Sequence, residues 1–106
     1  MKLIKGLVGL DKVDGVQEAL ATLNVRGVTV TEVRESVKDG RTMIYRGQEY
    51  NRNLQPKIEV EVVVYDWMAD DVIDAIIRAA QPDETDGRVF VMQVDESYRI
   101  RTGEMD

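Results

Sequence analysis

The sequence predicts an α+β domain in which one four-stranded antiparallel sheet packs against two helices. Four segments are rich in β-compatible residues, mostly in period-two alternation, and two carry apolar residues at helical spacing. Their order along the chain is strand, helix, strand, long loop, strand, helix, strand. The length of 106 residues and the 43% of hydrophobic residues suit one ordinary core, so we expect residues 1–106 to form a single domain.

The first half of the chain predicts a strand, a helix and a second strand. Residues 2–9 are β-compatible, and Asp11 is placed to cap a helix that ends at Asn24. The alternation over residues 28–33 predicts the second strand. The apolar positions at helical spacing are Val13, Val16, Leu20 and Leu23.

Residues 35–55 have no periodicity, and glycine and asparagine interrupt every regular pattern, so we predict one long loop. A compact domain seldom keeps roughly 20 structureless residues without a use. From Arg34 to Lys57 the chain holds six basic and three acidic residues, a net charge of +3, which leaves −9 on the rest. The loop is therefore a candidate functional segment.

The second half of the chain repeats the order of the first. The predicted elements are a strand over 57–64, a helix capped by Asp66, a turn-rich loop over 81–88, a strand over 89–94 and a C-terminal loop over 95–106. Trp67 and Met68 are expected to pack. The buried stripe of this helix is predicted to be Met68, Val72, Ile73, Ile76, Ile77 and Ala80.

Two such halves fold as a ferredoxin-like βαββαβ sheet with both helices on one face. Ile58, Val60 and Val62 alternate along one strand and are expected to face one way. The second face of the sheet then needs another cover. A self-associating ring or trimer is an economical one.

The composition excludes much catalytic chemistry. The chain has no cysteine and no histidine, which removes disulfides, thiol nucleophiles, zinc knuckles and imidazole bases. The net charge of −6 disfavours general nucleic-acid binding. No apolar stretch is long enough to span a bilayer, and residues 1–5 do not lead into a signal peptide, so we expect a cytoplasmic protein without membrane insertion. We predict no enzyme, no catalytic residue and no metal site.

Three short motifs are candidates for binding. Arg99 and Arg101 alternate in a segment predicted to be extended, so both guanidinium groups would reach one polyanion, such as a phosphate chain. Gly87, next to Arg88, allows close approach of the backbone and offers an amide hydrogen. The two tyrosines within residues 45–50 have little apolar company and are candidate recognition anchors.

Four segments in sequence order resemble the PII signal-transduction family, the nitrogen regulatory P-II proteins, over nearly the whole chain. Leu23 to Val33 is similar to that family's first helix end and second strand, Tyr45 to Tyr50 to its T-loop, Pro56 to Val64 to its third strand, and Arg99 to Glu104 to its C-terminal motif. By this resemblance residues 35–55 are the T-loop and residues 81–88 are the phosphate-side B-loop.

The resemblance implies a homotrimer whose three intersubunit clefts bind ADP, AMP or ATP. The residues implied for the adenine side are Gly27, Thr29, Glu61 and Val63, and those implied for the phosphates are Lys38, Gly87, Arg88, Arg99 and Arg101. Lys57 is implied as the partner of a second, anionic effector. Nucleotide state would set the T-loop, which docks on a target protein such as a membrane transporter or a metabolic enzyme. Tyr50 matches the tyrosine that some family members have uridylylated.

Three departures from the family pattern favour a divergent PII-like branch. The family's Gly-Phe-Gly-Arg-Gln, whose glutamine helps to hold magnesium and 2-oxoglutarate, is replaced by Glu35-Ser36-Val37-Lys38-Asp39, and its Arg-Pro-Phe by Gly9-Leu10-Asp11. The B-loop is shorter and more acidic, which favours ADP or AMP over ATP. Bicarbonate is the second effector expected of such a branch, in inorganic-carbon metabolism. The alternative is a nitrogen sensor that responds to ATP, ADP and 2-oxoglutarate.

Three further alternatives belong to other classes. A structural trimer would bind no ligand. An acyl-phosphate hydrolase of this topology would need an arginine in the loop after the first strand, where the chain has residues 9–11, Gly-Leu-Asp. An RNA-recognition module would stack bases on aromatic residues of its central strands. The corresponding positions here are Leu7, Ile58, Val60 and Val62.

Overall fold

A computed structural model describes residues 1–36, 42–45, 48–51 and 54–106, and it describes side chains for 1–36 and 54–106. The predicted α+β class is confirmed. The strands and helices are β1 (Lys2–Val8), α1 (Val13–Thr22), β2 (Thr29–Ser36), β3 (Thr42–Tyr45), β4 (Gln48–Asn51), β5 (Leu54–Val64), α2 (Ala69–Ala79) and β6 (Arg88–Gln93).

Four of the strands form the predicted antiparallel sheet, in the order β2-β5-β1-β6. Ile4 of β1 lies opposite Val62 of β5 and Val91 of β6, so these three side chains share one face. Both helices cover this face. The core between sheet and helices comprises Ile4, Val8, Val16, Leu20, Val25, Ile58, Val60, Val62, Val64, Ala69, Val72 and Ile76.

The end of α1 is a Schellman motif. The amide of Val25 donates to the carbonyl of Leu20 at 3.0 Å, and that of Asn24 donates to Ala21 at 2.9 Å. Asn24 has a φ of +60°, a left-handed conformation that asparagine tolerates better than most residues. The last residue of the helix is Thr22, and the prediction that Asn24 terminates it is confirmed. The motif brings Val25 and Leu20 together in the core.

The predicted caps of the two helices were wrong. Asp11 and Asp66 lie in short 3₁₀ turns that lead into α1 and α2, and neither makes a capping hydrogen bond. Backbone carbonyls accept these turn amides instead, with Lys12 N bonded to Gly9 O at 3.0 Å. The carboxylate of Asp66 pairs with the amino terminus of Met1 at 3.1 Å.

The predicted apolar stripe of α2 is largely confirmed, because Val72 and Ile76 are fully buried. Two predictions of burial were wrong. Ile77 is 44% exposed and lines an open apolar cavity of about 290 Å³ between α2 and β6. Trp67 is 77% exposed because it lies in the 3₁₀ turn before the helix, where it stacks on Tyr65 with ring centroids 6.4 Å apart.

The predicted loop at 35–55 is more regular than expected. β2 continues to Ser36, which lies opposite Leu54, the first residue of β5. β3 and β4 form a separate two-stranded sheet. The expectation of irregular backbone at these positions was wrong because pairing of the main chains extends the strands beyond the alternation of their side chains. Residues 37–41, 46–47 and 52–53 lie outside the described residues.

The second face of the four-stranded sheet is not covered by either helix. The side chains on this open face include Leu3, Lys5, Leu7, Thr29, Lys57, Glu59, Glu61, Val63, Phe90 and Met92. Val63, Phe90 and Met92 are each close to half exposed. Within the described residues, neither helix has the length and apolar character needed to cross a membrane.

Candidate functional site

The predicted adenine-side residues come together in one cavity of about 250 Å³ beside β2 and β5. Strand pairing sets Thr29 opposite Glu61, and Val63 follows two residues later on the same face. Gly27 precedes β2 with a φ of +72°, which glycine adopts without steric cost. Gly27, Thr29, Glu61 and Val63 share this cavity with Leu3, Arg26 and Val62.

An ion cluster on the open face adjoins this cavity. The Lys5 ammonium lies 3.4 Å from Glu61 Oε1 and 3.6 Å from Glu59 Oε1. A hydrogen bond between the two carboxyl groups, with help from burial, raises the pKa of Glu59 above its ordinary 4.5. The same hydrogen bond lowers the pKa of Glu61. Glu61 is therefore the carboxyl group that ionises first.

An internal carboxylate organises the B-loop. Asp83 accepts hydrogen bonds from the amide of Thr85 at 2.9 Å, from the hydroxyl of Thr85 at 2.8 Å and from the amide of Gly87 at 2.5 Å. These bonds lower the pKa of Asp83 below its ordinary 3.8, with the amide of Thr85 the largest cause. The Gly87 amide, expected to be offered to a bound group, already has an acceptor within the chain.

Close packing against β1 leaves no room for a side chain at Gly87. A Cβ atom at this position would lie 2.5 Å from the carbonyl oxygen of Leu7. The loop thus runs directly against β1, and Arg88 begins β6 opposite Leu7. The guanidinium of Arg88 is more than half exposed and is paired with the carboxylate of Asp86. Both expected phosphate contacts of the B-loop therefore have partners in this structure.

Lys57 is the one polar residue that is fully buried among the residues whose side chains are described. Its ammonium lies 2.6 Å from Glu35 Oε1 on β2 and 3.5 Å from the carbonyl oxygen of Asp86 in the B-loop. A buried ammonium needs such partners because it has lost its hydration. Lys57 therefore connects the end of β2 with the B-loop.

The C-terminal arginines do not lie in an extended segment, and that prediction was wrong. Residues 99–104 form a turn closed by a bridge between Tyr98 and Met105. Gly103, with a φ of +72°, donates to the carbonyl of Arg99 at 2.7 Å, so alternate side chains no longer project alike. Arg99 Nε contacts Asp106 Oδ1 at 2.8 Å, and this bond lowers the pKa of Asp106. Arg101 is exposed at the turn.

One chain does not bring Gly87 and Arg88 into the cavity of the predicted adenine-side residues. The adenine-side cavity lies by β2 and β5, whereas Gly87 and Arg88 line the cavity between α2 and β6. β5 and β6 are separated by β1 in the sheet, a distance of roughly 10 Å at ordinary strand spacing. Lys38 lies outside the described residues. For Tyr50 the structure gives the backbone position alone, opposite Met43 in the β3–β4 pair.

The carboxylate partners of the predicted cations were missed. Two of these contacts are local and have a sequence signal: Asp83 precedes Thr85 by two residues, as in an Asx turn, and Asp86 precedes Arg88 by two. The contact between Glu35 and Lys57 spans 22 residues and depends on strand register, so no local pattern indicates it.

The fold and the site together define a ferredoxin-like α+β subunit with an open sheet face and two separated groups of candidate binding residues. Comparison with known proteins identifies its family. The family profile described as "Nitrogen regulatory protein P-II" matches residues 1–104.

Three relatives illustrate the similarity. The chain is 44% identical over 108 residues to "Nitrogen regulatory protein P-II" of Klebsiella oxytoca and to "Nitrogen regulatory protein P-II 1" of Escherichia coli K12, covering 100% of this chain and 96% of each relative. It is 43% identical over 106 residues to "Nitrogen regulatory protein P-II" of Haemophilus influenzae, covering 98% of this chain and 95% of the relative. The chain belongs to the nitrogen regulatory protein P-II family.

Proposed function

We propose that this chain is a signal-transduction regulator that assembles as a homotrimer, binds an adenine nucleotide in each cleft between subunits and controls a target protein through the T-loop. The family placement supports a regulatory, non-catalytic role. The target is a transporter or an enzyme that the T-loop contacts. Nucleotide state changes that contact because the ligand interacts differently with each conformation of the loop.

The observation that carries the proposal is the division of the site. The four adenine-side residues line one cavity, while Gly87 and Arg88 line another on the far side of β1. This division favours a nucleotide shared between the cavity of one subunit and the cations of a neighbour. The open sheet face, with Val63, Phe90 and Met92 close to half exposed, supplies apolar surface for such an assembly.

The charges around the proposed phosphate side favour ADP and AMP over ATP. Asp86 neutralises Arg88, and Asp106 neutralises Arg99. Asp83 occupies the amides of Thr85 and Gly87. Each further phosphate brings negative charge toward arginines and amides that are already paired with carboxylates. The gain in affinity per phosphate is therefore small.

Two settings are candidates for the regulation. Nitrogen metabolism has the support of the relatives, which carry the name "Nitrogen regulatory protein P-II". In that setting the ligands are ATP, ADP and 2-oxoglutarate, and Tyr50 is a candidate modification site. Inorganic-carbon metabolism, with bicarbonate as second effector, rests on the departures at residues 35–39 and 82–88. Both second effectors depend on the ammonium of Lys57, which already has Glu35 as its partner.

Titration of the purified protein with ADP, AMP and ATP tests the proposal, with the mass in solution measured by light scattering. We expect a trimer that binds ADP. A variant with Arg99→Ala and Arg101→Ala is expected to remain trimeric and to lose at least about tenfold in ADP affinity, because hydrogen bonds to charged groups are lost. Arg78→Ala, on the exposed side of α2, is the control for loss of a cation. A monomer would contradict the proposal, a trimer that binds no adenine nucleotide would favour the ligand-free structural alternative, and unchanged ADP affinity in the double variant would contradict the assignment of these two arginines to the phosphates.

A further inference from the structure

The ammonium of Lys57 is buried and paired with a carboxylate of the same chain. Lys57 has no exposed surface, and its nearest oxygen is Glu35 Oε1 at 2.6 Å. The other contact, with the carbonyl of Asp86, is 3.5 Å long and weaker. Among the residues whose side chains are described, Glu35 is the carboxylate in direct contact with this ammonium, and the more distant Asp83 feels its charge, which helps to lower the pKa of Asp83.

The position of Glu35 explains why it reaches Lys57. Val33 lies opposite Lys57 in the pairing of β2 with β5, and Glu35 lies opposite Gln55. Glu35 is thus the diagonal neighbour of Lys57 on the same face, within reach of long side chains. The Glu35 side chain is 38% exposed, so solvent and small solutes reach the carboxylate although they do not reach the ammonium.

We propose that Glu35 acts as an internal ligand of Lys57 and is the specificity-determining residue that keeps small external carboxylates and bicarbonate from this site. An external anion has to displace a carboxylate that is tethered to the neighbouring strand. The effective concentration of such a tethered group is in the millimolar range or higher, so an anion of ordinary affinity competes poorly. A second effector at Lys57 then acts only at a concentration high enough to displace Glu35.

Removal of the Glu35 carboxylate tests the inference, because it should increase the affinity of the protein for external anions. Glu35→Ala leaves the Lys57 ammonium without its close partner and opens space beside it. We expect this variant to bind 2-oxoglutarate, used as a dicarboxylate probe, at least about tenfold more tightly than the unchanged protein, as measured by calorimetry. Bicarbonate is titrated in parallel as the smallest probe. Glu32→Ala removes the same charge from an exposed position on the other face of β2 and is expected to change nothing.

The second variant assigns the gain to Lys57. In Glu35→Ala combined with Lys57→Met, the apolar side chain replaces the buried ammonium, and the added affinity for 2-oxoglutarate is expected to disappear. If Glu35→Ala unfolds because its buried ammonium is uncompensated, Glu35→Gln, which keeps an oxygen acceptor, replaces it and is expected to show a smaller gain in the same direction.

Three outcomes would overturn the inference. These are tight binding of either anion at Lys57 in the unchanged protein, no gain in a folded Glu35 variant, or a gain that persists without Lys57. The inference is linked to the proposed function only through the contact of Lys57 with the B-loop, the proposed phosphate side. An ADP titration of the same samples distinguishes failure of the inference from failure of the proposed function. If the unchanged protein binds no ADP, the proposed function is contradicted, but the result for the anions still stands.

Discussion

The guanidinium of Arg88 and the carboxylate of Asp86 form a bidentate ion pair, with Nη1 2.7 Å from Oδ1 and Nη2 3.2 Å from Oδ2. The pair ties the first residue of β6 to the B-loop immediately before it. Because Asp86 is largely exposed, the pair holds the arginine without burying it, and a more strongly charged ligand competes with the carboxylate for the same nitrogen atoms.

Asp86→Asn is expected to raise the affinity for ATP by about two- to fivefold, the value of an exposed ion pair, and to raise that for AMP less. Asparagine suits this site because residue 86 has a φ of +53°. Calorimetric titration with ATP and AMP measures both effects. Glu84→Gln removes one charge from an exposed position in the same loop and is the control. An equal gain in the control would assign the effect to the overall field of the loop.

Gly87→Ala is expected to destabilise the protein by about 1–3 kcal/mol, because the new Cβ would lie 2.5 Å from the carbonyl oxygen of Leu7, a backbone atom that moves only with β1. The shift of the urea midpoint measures this cost. Gly15→Ala is the matched control within α1, where the nearest atom is a carbonyl 3.8 Å away. It is expected to stabilise by about 0.5–1 kcal/mol. Equal stability of the Gly87 variant and the unchanged protein would contradict the close packing.

Glu59→Gln is expected to stabilise the protein at pH 7 by about 0.5 kcal/mol. The raised pKa of Glu59 means that folding disfavours its ionised form, so the unchanged protein loses stability as the pH rises through that pKa. Glutamine keeps a donor for Glu61 and does not ionise. The gain is therefore full at neutral pH and disappears below pH 4.5, the ordinary pKa.

Thermal unfolding of the Glu59 variant at several pH values gives the measurement. Glu18→Gln, exposed on α1, is the control for removal of one negative charge. A lower melting temperature for the Glu59 variant at pH 7 would show that the contact with Lys5 outweighs repulsion from Glu61.

The sheet could be predicted from the sequence because it depends on period-two alternation. The adenine-side residues were implied by the resemblance to the PII family, and the pairing of β2 with β5 places three of them, Thr29, Glu61 and Val63, on one face. The end of α1 was equally predictable, because asparagine tolerates the left-handed conformation that Asn24 adopts. These features depend on neighbours close in sequence or on one pairing.

The errors came from features set by longer-range geometry or by backbone hydrogen bonds. The prediction of the helix caps was wrong because 3₁₀ turns satisfy the backbone amides at the helix starts. The prediction of an extended segment at Arg99 was wrong because the chain turns at Gly103. The extension of β2 and β5 needed main-chain pairing with no side-chain signal. The partner of Lys57 followed only from the register that puts Glu35 diagonally across from it.

The stacked position of Trp67 makes the protein a ready optical probe. Trp67 is the chain's single tryptophan and is 77% exposed against Tyr65. Its fluorescence therefore reports on one place, the start of α2, without a label. A shift of the emission to shorter wavelength would signal that another surface has come to cover the indole, and energy transfer from Tyr65 would register any separation of the two rings.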